Sequence, residues 1–160
     1  MEQVADGLKR ISLMPGDRLN SYVIGSVLID SGTPQSHKKL LPQLSGIDAH
    51  ALTHGHDDHY GSSKTICERL EIPFWAPDGD ADEIATRRPV RPKTWFTPLM
   101  RLAKPSPAPP IARRLQEGDE VGGFTVLDAP GHSPGHVVYW RESDRTLVIG
   151  DVLFNCNLVT

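Results

Sequence analysis

Residues 53–61 read THGHDDHYG and gather three of the chain's seven histidines with an Asp-Asp pair in one short stretch. His54 and His56 are separated by one residue, so both imidazoles can converge on one ion from the end of a strand. Asp58 and His59 follow where the chain rolls into a helix. Imidazole nitrogen combined with hard carboxylate oxygen is the donor mixture that zinc and similar divalent ions accept. A solvated surface His tract is the bland alternative. A local crowd of ligands also needs partners from elsewhere in the chain, and the fold has to bring them there.

The flanking sequence says where the cluster sits. IDAHALTH reads as a short strand that delivers it. GSSKTICERLEI reads as a helix with Ile66, Cys67 and Leu70 on one apolar face, stopped by Pro73. Upstream, NSYVIGSVLID predicts two strands turning at Gly25-Ser26, and SGTPQSHKKLLPQL a loop that enters a helix with Leu40, Leu41 and Leu44 inward. Downstream, FWAP predicts a strand, and DGDADEIATRR a helix whose acidic start and basic end suit its dipole. The run from Pro89 to Pro110 holds seven prolines, too many for a helix or sheet interior, so 89–110 is expected to be a long irregular inserted loop. GFTVLDAPGH, HVVYWRESD and RTLVIGDVLF then predict three strands, the last two joined at Glu142–Arg145. The chain of 160 residues suits one domain with a real core, spanning 1–160, of mixed α/β class with helices covering sheets.

Two further elements complement the cluster. GHSPGH, residues 131–136, follows a strand, and its Pro and Gly residues make a tight loop that can aim His132 back into the molecule. The apolar run TLVIGD carries a lone carboxylate, Asp151, out at its end, where it either caps a loop or binds a cation. The two His clusters favour the second reading.

These residues resemble the metallo-β-lactamase fold superfamily: Asp30 in VLIDSG, then THGHDDHYG, His132 in PGHSPGH and Asp151 in VIGDVLF, in family order from about residue 20 to 154. The resemblance implies a four-layer αββα sandwich with a two-metal site at the edge of its sheets. It implies that His54, His56 and His132 hold the first metal, that Asp58 and His59 hold the second, and that Asp151 bridges both. The cofactor would be Zn2+, one ion or two, with Fe or Mn as alternatives. The nucleophile would be a metal-bound hydroxide oriented by Asp58, and Asp30 would support the loops under the site. The wording is similar to the glyoxalase II-like branch, where thioester hydrolysis is typical, although NCNLVT after GDVLF departs from that pattern. The expected activity is hydrolysis of an ester, thioester or lactone. The alternatives within the fold are a mononuclear iron persulfide dioxygenase and a ribonuclease-type phosphodiesterase.

The family pattern has one more histidine after the bridging Asp, and no His follows position 136. The C-terminal strands and helix are therefore expected to be missing, which leaves the second metal position the weaker. A homodimer in which a partner chain supplies the element is the competing arrangement. His136 is expected to hydrogen-bond near the site rather than to bind metal. His50 is assigned to the core or to a place supporting the ligands, His37 to solvent, and Cys67 to packing; Cys156 either approaches the metals or stays inert.

Residues 87–114 contain eight Lys or Arg and no Asp or Glu. One reading is a lid in which Arg91 and Lys93 steer an anionic small-molecule substrate while Trp95, Phe96, Leu99 and Met100 line its apolar wall. The other is a solvated loop. A formal charge of −3 gives no overall basic field for nucleic acid. No stretch approaches the roughly 20 apolar residues of a membrane span. The N-terminus has no apolar signal core and the two cysteines form no ladder, so a soluble cytoplasmic protein is expected.

Overall fold

The computed structural model describes residues 1–90 and 105–153. The chain begins with a hairpin: Asp6-Gly7 turns β1 (Glu2–Ala5) into β2 (Leu8–Ser12). A second hairpin, β3 (Asn20–Ile24) and β4 (Val27–Ile29), turns at Gly25-Ser26 as expected. From β4 the connections become crossovers, as parallel pairing requires. Helix α1 (His37–Leu40) runs into a short 3-10 turn and then to β5 (Ala49–Ala51). Helices α2 (Asp57–Tyr60) and α3 (Ser63–Leu70) lead to β6 (Phe74–Pro77). After α4 (Asp78–Thr86) comes β7 (Ile111–Leu115). These seven strands form one sheet in chain order, antiparallel from β1 to β4 and parallel from β4 to β7. A second, antiparallel sheet contains β8 (Glu120–Val121), β9 (Phe124–Asp128), β10 (Val137–Arg141) and β11 (Thr146–Val148), in the order β11-β10-β9-β8.

Side chains alternate across a strand, so each face of the first sheet finds its own partner. Ile24, Val27 and Ile29 turn toward Phe124, Val126, Val137 and Tyr139 of the second sheet and make the core between the two. Val23 and Leu28, on the opposite face, pack with Leu40, Leu44 and Ile66 under α1 and α3. Leu52, Phe74 and Ala76 continue that face against Tyr60, Cys67 and Ile84. The described helices thus cover the first sheet, and three of the four expected layers lie among the described residues.

Four strands depart from the expectation. Nothing in the sequence reading assigned β1, β2, β7 or β8. Strand β7 pairs beside β6 through Phe74–Ile111 and Pro77–Leu115, although its sequence IARRL reads as the tail of the basic loop. His50 is fully buried, its Nδ1 3.1 Å from the Leu28 carbonyl and its Nε2 2.8 Å from Ser63 Oγ. Burial pushes this imidazole down to about 4, as a neutral core group requires. Cys67 packs into the core from the buried face of α3.

One buried bond ties the second sheet to the metal-ligand candidates. The Tyr139 hydroxyl donates to the Leu52 carbonyl at 2.6 Å, just before the THGH run. Tyr139→Phe leaves that carbonyl without its donor in a closed core, so urea unfolding is expected to show a loss of about 1–3 kcal/mol.

Candidate metal centre

Ligands on open parallel sheets gather at the carboxyl ends of the strands, and three adjacent strands deliver candidates there. Asp30 leaves the end of β4 in a left-handed conformation (φ 57°). Thr53 to His56 follow β5, and Asp78 to Asp80 follow β6. From the second sheet, the β9–β10 connection brings His132 and His136, and the turn after β11 brings Asp151.

Asp30 is almost fully buried, and its carboxylate is saturated by donors from the His cluster. Its Oδ1 accepts the Thr53 amide at 2.8 Å. Its Oδ2 accepts the Thr53 hydroxyl at 2.8 Å and lies 2.9 Å from His59 Nδ1. Because the Thr53 hydroxyl donates to Asp30, its oxygen is left to accept from His54 Nδ1 at 3.0 Å. Both histidines therefore carry a proton on Nδ1 and turn Nε2 inward, so one carboxylate sets the tautomers of two ligand candidates.

Three nitrogens meet on the inner side. His56 Nδ1 is 3.0 Å from His54 Nε2 and 2.8 Å from His132 Nε2. His56 Nε2 is buried with no partner among the described residues. Three convergent imidazole nitrogens fit a divalent ion, which takes lone pairs from all of them, better than they fit one another. A second group shares His54 and adds His59 and Asp151. Asp151 spans the two: Oδ1 is 3.2 Å from His59 Nε2 and Oδ2 is 3.3 Å from His132 Nε2. The backbone amide of Asp151 donates to His136 Nε2 at 3.0 Å, so His136 holds the carboxylate-bearing residue, and its ring stacks on His54 at 4.8 Å.

The protonation states divide the same way. Burial, together with repulsion from the neighbouring imidazoles, holds His54 far below the usual range. Burial and His132 lower His56, and burial lowers His136 to about 4. Neutral imidazole is the form that binds metal. His59 behaves oppositely: burial works against its charge, but Asp30 and Asp151 on either side raise it to about 10. Burial likewise opposes ionisation of Asp151, yet His59 holds that carboxyl below its usual range.

Asp58 lies exposed in the first turn of α2 and is not in either convergent group. Arg91, Lys93, Trp95, Phe96, Leu99, Met100 and Cys156 lie outside the described residues. Both ends of the proline-rich run are tied down beside the His cluster: Val90 is buried against Gly55, and the Ser106 amide donates to Asp57 Oδ1 at 2.5 Å. Sequence reasoning missed Thr53, Ser133 and Asp80. Asp80 is fully buried, and within DGDADE nothing distinguishes it from its exposed neighbours except its place just beyond a strand that pairs with the His-bearing one.

A family model described as the metallo-beta-lactamase superfamily matches residues 14–160. The chain is 30% identical over 145 residues to a probable metallo-hydrolase, YflN, of Bacillus subtilis, covering 79% of this chain and 55% of that protein. It is 31% identical over 108 residues to a hydroxyacylglutathione hydrolase of Bdellovibrio bacteriovorus, covering 64% of this chain and 33% of the relative. The crystal structure of TTHA1623 in a di-iron-bound form superposes with a TM-score of 0.68 at 33% identity, over 91% of this chain and 73% of that one. The chain thus spans between a third and about half of these two curated relatives.

The split in protonation gives a measurable asymmetry. Metal entering the three-His group displaces no proton from His54 or His56 at pH 7, whereas metal reaching His59 must displace one. Apparent affinity at the His59 position is therefore expected to rise about tenfold per pH unit until pH approaches 10. Calorimetric titration with zinc in buffers of different ionisation enthalpy reads the released proton directly.

Proposed function

The chain belongs to the metallo-beta-lactamase superfamily, and on that premise we propose that it is a metal-dependent hydrolase that cleaves an ester, thioester or lactone of a small molecule. The observation that carries the reading is the convergence of the His54, His56 and His132 nitrogens beside a second group made by His54, His59 and Asp151. Zinc fits the nitrogen-rich donor set. Iron is the alternative, since the related TTHA1623 structure is di-iron-bound. A divalent ion bound there would lower the pKa of water and polarise a substrate carbonyl.

The chain's own residues set up that chemistry. Asp30 and Thr53 fix His54 and His59 with Nε2 facing the site. Asp151 presents one oxygen toward each group, in keeping with a bridging role. Asp58, in the turn that carries His59, is the candidate to hold the attacking water and to complete the second metal's donors; its negative charge acts on His56. Arg91 and Lys93 are candidate contacts for an anionic substrate, with Trp95 and Phe96 as its apolar wall. A thioester is the first substrate class to test, because relatives that match this chain include hydroxyacylglutathione hydrolases. The working compartment in this reading is the cytoplasm, which suits the buried free thiol of Cys67. No described helix is long and apolar enough to cross a membrane.

The test is a panel of thioesters, lactones, esters and phosphodiesters, assayed after loading with zinc or iron(II) and again after chelation. Turnover of a carboxylic substrate that chelation abolishes is the expected result. Metal-independent turnover, or activity confined to phosphodiesters, overturns the reading. On the substrate found, Asp58→Asn is expected to lower kcat by about 100-fold or more with KM little changed, since general-base assistance contributes about 10²–10⁴.

A further inference from the structure

Asp80 is as deeply buried as any residue of the chain, at 0% exposure, yet it belongs to neither group of convergent ligand atoms. Its carboxylate accepts from both loops that supply the three-His group. Oδ2 takes the Gly55 amide at 2.8 Å and the Ser133 hydroxyl at 2.7 Å, and Oδ1 takes the Gly135 amide at 2.7 Å. Gly55 is the residue between His54 and His56, and Ser133 directly follows His132. The two ligand loops come from different sheets, and Asp80, in the first turn of α4, belongs to neither and grips both.

The packing around it leaves no slack. A Cβ on Gly79 would come within 2.8 Å of Gly135 Cα, and one on Gly135 would come within 2.5 Å of the Gly79 carbonyl carbon. A Cβ on Gly55 would meet Val90 at 2.6 Å and Ile84 at 3.0 Å. The start of α4 therefore docks backbone against backbone on the 132–136 loop, while the body of the helix presses on the His54–His56 turn. Neither contact extends to His59, whose Nδ1 is held by Asp30.

We propose that Asp80 is the positioning residue of the three-His metal group alone: its carboxylate sets the separation of His56 from His132 by hydrogen-bonding the loops that carry them. The assignment rests on the metal-binding reading above. It gives the two candidate metal positions different supports, with Asp80 acting on His56 and His132 while Asp30 holds His59 and, through Thr53, the shared His54.

The test measures zinc affinity by chelator competition in two backgrounds, at a temperature where circular dichroism shows each metal-free variant folded. His59→Ala retains the three-His group, and His56→Ala retains His54, His59 and Asp151. Asp80→Asn places an amide NH2 where only donors approach, so one loop contact must be lost. In the His59→Ala background it is expected to weaken zinc binding about 10–100-fold, the usual consequence of losing a residue that orients ligands. In the His56→Ala background affinity should stay within about twofold, because Asp30 holds His59 directly and the shared His54 through Thr53. Equal losses in both backgrounds, which a general structural role would give, or no loss in either, overturn the proposal. Should Asp80→Asn fail to fold, Ser133→Ala removes one of the three donors and is expected to weaken only the three-His group, by about three- to tenfold; no change there overturns the proposal. A wild-type chain that takes up no zinc removes the metal reading and this one with it, whereas uptake insensitive to Asp80 removes the positioning role alone.

Discussion

Two buried carboxylates, one at the end of β4 and one in the first turn of α4 beyond β6, flank the His-bearing strand β5 and organise the site. A buried charge is tolerated only when its lone pairs are filled by donors, and Asp30 and Asp80 each recruit three. The donors they recruit are backbone amides, hydroxyls and an imidazole of the segments that hold the ligand candidates. Satisfying the carboxylates therefore folds the loops. Segments 53–56, 57–60 and 132–136 have few internal bonds of their own, and without those acceptors each would have many conformations to choose from.

The sheet makes this arrangement available cheaply. The parallel strands β4, β5 and β6 lie side by side, so their exits sit one strand spacing apart, about 5 Å. Asp30, the His cluster and Asp80 consequently appear in a row with no long-range search. The second sheet closes the site from the other side, and its alignment is secured near the ligands by the Tyr139–Leu52 bond.

The sequence made the strongest local signals legible. The H-x-H-x-D-H run, the Gly25-Ser26 hairpin, the FWAP strand and the helix that Pro73 follows all lie where pattern placed them. The convergence of His132 and Asp151 on the cluster was legible through the family resemblance, since no local rule relates residues that far apart. Asp80 was not legible. An acidic helix start looks the same whether it complements a dipole at the surface or turns into the core, and only the three-dimensional neighbourhood of Gly55 and Gly135 separates the two. The opening hairpin carried a recognisable Asp-Gly turn, but β1 is mostly exposed and β2 buries only Leu8 and Ile11, so the apolar alternation that would have announced them is weak. Strand β7 was obscured by Arg113 and Arg114, which are tolerated there because Asp119 and Asp78 neutralise them.

His54 stands in contact with four other imidazoles, at ring separations from 4.1 Å to His59 to 4.9 Å to His132, and it belongs to both convergent groups. Residues that share a partner do not change independently. Any displacement of His54 therefore moves both groups together, whereas His56 with His132 and His59 with Asp151 each belong to one group. The oldest part of such a site, in the sense of what must stay still while the rest diversifies, is this one ring.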